Sequence, residues 1–76
     1  MSTRAAEYRS ASEGLSYSLK EFRAEWENLK LNVDQFIRDI DSGSDIDTSG
    51  TMVKMSSYRI SILSAEIMAF TKAMMK

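Results

Sequence analysis

The chain contains no cysteine, no histidine and no proline. Without cysteine there is no disulfide to staple a domain of 76 residues, and no thiolate to hold a metal. Without histidine the commonest general base and the commonest transition-metal ligand are missing, so a hydroxyl nucleophile has no usual activating partner. Without proline nothing in the backbone forbids long helices. Apolar runs are short, and none approaches the ~20 residues of a membrane-spanning helix. The opening stretch MSTRAAEYRSASEG lacks the hydrophobic core of a signal peptide, so we expect synthesis in the cytoplasm without a Sec signal. A formal net charge of -1 gives a phosphate backbone no reason to bind, and we expect no nucleic-acid partner.

Acidic residues do occur in pairs: Glu25 with Glu27, Asp39 with Asp41, Asp45 with Asp47. They lie in charged stretches or in a Gly/Ser-rich break and read as solvated surface. Asp41, Asp45 and Asp47 lack the spacing and the closing bidentate Glu of a calcium loop. The expectation is a protein that is not an enzyme, with no catalytic residue, metal, cofactor or small-molecule ligand.

What the chain does have is a seven-residue apolar repeat through its first half. One register reads Ala5, Ser12, Leu19, Trp26, Val33, Ile40, and the companion register reads Tyr8, Leu15, Phe22, Leu29, Phe36. Only Ser12 breaks the pattern. Alternating steps of three and four place these residues on one face of an α-helix. A helix over 4–41 would run for about 55 Å at 1.5 Å per residue, too long for the core of one small globule. The stripe must meet something as long as itself, the second half of this chain or another chain. From it we take Leu15, Leu19, Phe22, Trp26, Leu29, Val33, Phe36 and Ile40 as core or interface residues.

The repeat stops at Asp41–Gly50, DSGSDIDTSG, which is rich in residues that favour turns and caps. Gly43 suits a helix C-terminal cap, and Asp47, Thr48 or Ser49 suits the next N-cap. We therefore expect a loop over 42–50 and a second helix over 51–75, within a single domain spanning 1–76. Gly14 falls inside the first helix, at a cost of about 1 kcal/mol relative to Ala, and residues 1–13 are expected to fray. The second helix is apolar on two sides. Val53, Ile60, Leu63, Ile67 and Phe70 form one stripe, expected to be the intrachain seam. Met55, Tyr58, Ile62, Ala65 and Ala69 lie elsewhere on the helix and are expected to face other chains. A narrow line of small residues, Ser57, Ser61, Ser64 and Thr71, runs between them. Through Asp41 the chain holds 6 basic and 8 acidic residues, whereas the second helix sets Lys54, Arg59, Lys72 and Lys76 against Glu66 alone. These opposite balances favour pairing of the helices, weakly for each exposed pair. The expected fold is all-α: an antiparallel two-helix hairpin with coiled-coil-like heptad packing, completed by oligomeric or partner contacts.

The second helix carries Ser57-Tyr58-Arg59-Ile60-Ser61-Ile62, followed by Ser64-Ala65 and Lys72-Ala73. With the short length, polar N-terminus and Gly/Ser/Asp break, this resembles the small helical-hairpin components of type III secretion machines, above all the needle and inner-rod subunits. The Pro-containing turn and the C-terminal Asn and Gln residues usual in needle subunits are absent here. The resemblance implies a C-terminal helix packed within a helical polymer and a chain exported through the secretion apparatus. The hairpin co-chaperones of the same machines, cytoplasmic adaptors that hold an amphipathic helix, are the alternative. On either reading the partners are proteins, in a homo-oligomer or a hetero-oligomer.

Overall fold

The structure, a computed structural model, describes residues 3–75. It contains two helices, α1 (Thr3–Ser42, 40 residues) and α2 (Asp47–Met74, 28 residues), folded back on each other as an antiparallel hairpin. No strand occurs among the described residues. The hairpin is a rod of 63 × 16 × 14 Å. α1 continues through residues 3–13, where fraying was expected, and its N-terminal turns outreach the shorter helix.

The reversal is tighter than the sequence suggested. Only residues 43–46 lie outside the helices, and Asp47–Gly50, expected in the loop, form the first turn of α2. Gly43 closes α1 with a φ of 71°, which an L side chain rarely adopts. Its N–H donates to the Ile40 carbonyl (3.2 Å) and the Ser44 N–H to the Asp39 carbonyl (2.9 Å). This pair of hydrogen bonds is a Schellman motif and satisfies two carbonyls that the helix end leaves open. Asp45 begins α2: its Oδ1 accepts from the Asp47 N–H at 2.9 Å. None of Asp47, Thr48 and Ser49, expected as caps, takes that role: Ile46 is the N-cap and has no side-chain cap bond, and the Asp45 carboxylate meets only the first N–H of the helix.

Both helices meet along a 4-3-4-3 seam. α2 turns Ser49, Val53, Ser56, Ile60, Leu63, Ile67, Phe70 and Met74 inward, all buried or half-buried. α1 answers with Ala11, Leu15, Ser18, Phe22, Glu25, Leu29, Asn32, Phe36 and Asp39. Leu63 is 1% exposed and Ala11 6%, beside Ser18 at 2% and Ser56 at 3%. Burying one leucine side chain contributes about 1.5–3 kcal/mol, so a seam this thin holds the hairpin by a small margin.

Glycine fits the two ends together. A Cβ on Gly14 would lie 2.6 Å from Phe70 Cζ, and one on Gly50 would lie 3.3 Å from Phe36 Cζ. Each helix therefore has a notch that takes a phenylalanine ring of the other, one near each end of the hairpin. Near the loop, the buried Ser49 hydroxyl completes no hydrogen bond of ordinary geometry. It still lies close enough to the Asp39 carboxyl to hold it below the usual aspartate range, helped by the Gln35 amide at 2.8 Å and by Arg38, against a smaller effect of burial.

Three predictions follow from this geometry. Gly14→Val should lower stability by about 1–3 kcal/mol in urea denaturation followed by circular dichroism, because the branched side chain displaces Phe70. Gly50→Ala should be near neutral, its tight 3.3 Å contact offset by better helix propensity. Asp39 has a folded-state value below its ordinary one near 3.8, so its stabilisation is complete above that value and lost as pH falls through the lower one. Asp39→Asn should accordingly flatten the acid limb of the stability–pH curve.

Candidate functional site

The apolar repeat of α1 is split by the fold. Its companion register turns toward α2: Leu15, Phe22, Leu29 and Phe36 are half-buried. The first register does not. Leu19 is 48% exposed, Trp26 46% and Ile40 53%, with Val33 half-buried between them. The seam instead uses the row one residue earlier, Ala11, Ser18, Glu25, Asn32 and Asp39, which is mostly polar. α1 is thus turned about one heptad position from the orientation that would centre its apolar stripe on α2.

The polar side chains in that row explain the turn. Asn32 donates from Nδ2 to Ser56 Oγ at 2.8 Å, and Asn28 reaches the same hydroxyl at 3.4 Å while also donating to Glu25 at 3.1 Å. Ser18 Oγ donates to Glu66 Oε1 at 3.3 Å, and Arg59 pairs with Glu21 at 3.4 Å. Ser56 and Ser18 are nearly fully buried, so their hydroxyls need partners inside the hairpin. The α1 amides and the Glu66 carboxylate meet that need. Trp26 in their place would hold the helices apart and leave Ser56 unpartnered.

Two shallow hollows therefore flank Trp26 on the open side of α1. One is lined by Phe22 and Arg23, the other by Leu29, Lys30, Val33 and Asp34. On α2 the residues expected in the intrachain seam lie inward: Leu63 is buried, Phe70 caps Gly14, and Val53, Ile60 and Ile67 are half-buried. Of those expected to face other chains, Met55 is 63% and Tyr58 70% exposed, and Ala65 and Ala69 are also open. Ile62 is less open, half-buried over a hollow that Glu25 and Asn28 share with Met52, Met55 and Arg59. Met68 (71%) and Met75 (67%) add apolar surface outside both stripes.

Among the described residues no helix is long and apolar enough to cross a membrane, and no cluster of His, Cys, Asp or Glu could hold a metal ion. No family model, curated protein or solved structure matches the chain. What this surface can do chemically is bind apolar side chains at helical spacing. Asn32→Leu should lower stability by about 1–3 kcal/mol in urea denaturation followed by circular dichroism, because the buried Ser56 hydroxyl loses its 2.8 Å partner.

Proposed function

We propose that the chain is a non-enzymatic structural subunit that assembles with other copies of itself through the apolar rows its own fold leaves open. One observation carries this reading: half of the heptad stripe of α1, with Trp26 at its middle, stays uncovered after α2 has folded back. α2 adds a second row, Met55, Tyr58, Ile62, Ala65 and Ala69, again in steps of three and four and open except at the half-buried Ile62. Two different sticky rows on one subunit are what an extended assembly requires, since each can take a different neighbour. The chain exposes 5900 Å², whereas a compact protein of 8.6 kDa exposes about 4,700 Å². The excess exceeds the ~800 Å² that one partner gives to a standard interface.

The resemblance to needle and inner-rod subunits supports the same reading, with export through a type III secretion system as its consequence. The alternative is a cytoplasmic co-chaperone that offers the same rows to an amphipathic partner helix. The exposed methionines of α2 favour it, because a flexible thioether adapts to a foreign surface.

Light scattering behind size-exclusion chromatography, across a concentration series, tests the proposal. The native chain should grow beyond a dimer. Ala65→Glu adds a charge to an already open position, so it should leave the helical signal intact and arrest growth at small species. Ile60→Glu, within the half-buried seam, should lose helix and assembly together. A chain that stays monomeric throughout would overturn self-assembly.

A further inference from the structure

Sulfur is unevenly distributed in this molecule. The chain has six methionines and no cysteine. Met52, Met55, Met68 and Met75 stand exposed on or beside α2. Met74 is half-buried at the open end of the seam, and Met1 lies outside the described residues. The side chains that hold α2 in the rest of the seam, Val53, Ile60, Leu63, Ile67 and Phe70, contain no sulfur. The exposed thioethers fall into two pairs. Met52 and Met55 border the hollow shared with Tyr58 and Ile62, toward the loop. Met68 and Met75 border a second hollow with Thr71 and Lys72, toward the open end.

We propose that these two pairs form an oxidation site, at which a hydroperoxide turns the open apolar surface of α2 polar while the hairpin persists. In each event a sulfur lone pair attacks one peroxide oxygen, the O–O bond breaks and an S–O bond forms. Sulfur loses two electrons and the peroxide gains them. With hydrogen peroxide the transferred oxygen passes its proton to the other oxygen, which leaves as water. A thiol would compete for the oxidant, and this chain has none. The product is a polar sulfoxide in place of a flexible apolar side chain. In solvent its oxygen is hydrated and costs the fold little. Pressed against a neighbour without a donor, that oxygen carries the penalty of an unpaired polar group. Oxidation therefore acts on association and spares the fold, because the exposed sulfur and the seam occupy different surfaces. The effect on association rests on the self-assembly reading above, whereas the site and the survival of the hairpin do not.

Treatment of the native chain with hydrogen peroxide, read by peptide mass spectrometry, circular dichroism and light scattering, tests this. Met55, Met68 and Met75 should each gain one oxygen about tenfold faster than Met74, with the helical signal kept. The oxidised chain should associate about tenfold more weakly than the native one. Met55→Gln, which sets a polar group at the same place without oxidant, should shift association in the same direction. Met52→Leu, Met55→Leu, Met68→Leu and Met75→Leu together keep the apolar volume, so that variant should assemble with peroxide as it does without. Loss of helix in step with oxidation would overturn the proposal, as would equal sensitivity of the four-leucine variant. An oxidised chain that assembles like the native one would overturn it and leave self-assembly standing. A native chain that is monomeric at every concentration would overturn both self-assembly and its control by oxidation.

Discussion

The hairpin depends on how closely its two helices can approach. Ser56 and Ser18 occupy positions that leucine or isoleucine would fill in an ordinary coiled coil, and glycines at 14 and 50 accept whole phenylalanine rings. Small residues let the backbones come near, and a near backbone leaves little room for a bulky side chain between them. Once the seam is narrow, its polar hydroxyls must be satisfied from within. The amides of Asn28 and Asn32 do so for Ser56 and the Glu66 carboxylate for Ser18, whereas the Ser49 hydroxyl is left without a bond.

That local requirement sets the outer surface. By drawing Ser18, Asn32 and Asp39 inward, the seam turns Leu19, Trp26 and Ile40 out. The exposed row is therefore a consequence of the packing rather than an accident of a short chain. A protein that needed only a stable hairpin would do better with the apolar register inside. Placing polar groups in the seam gives up burial energy in exchange for a fixed alignment and an open apolar face. This is the physical ground for the proposal that the molecule is one part of an assembly.

The residues that hold the hairpin, such as Leu63, Phe70 and Ile60, are distinct from those left open, such as Trp26, Met55 and Ala65. Substitutions on the open rows test association without testing the fold. Only Ile62 straddles the two, being half-buried beside Glu25 and Asn28.

The sequence by itself determined that the protein is helical, that it reverses near Gly43, and that its apolar surface follows heptad rows. These follow from local rules: the absence of proline, the periodicity of Leu15, Phe22, Leu29 and Phe36, and the need for a left-handed residue at the turn. It also indicated the apolar part of the inward stripe of α2, Val53, Ile60, Leu63, Ile67 and Phe70, but not Ser49 and Ser56, which share the row of Leu63 and Phe70. Tertiary structure alone decided that α2 begins at Asp47, since Gly50 looks like a loop residue until the Phe36 ring is seen above it. It alone decided which half of the α1 stripe is covered. Heptad counting ranks Trp26 above Asn32 for burial, and that ranking fails because burial also depends on the facing helix. Ser56 offers Asn32 a hydrogen bond and offers Trp26 no space, and no single-helix pattern contains that fact.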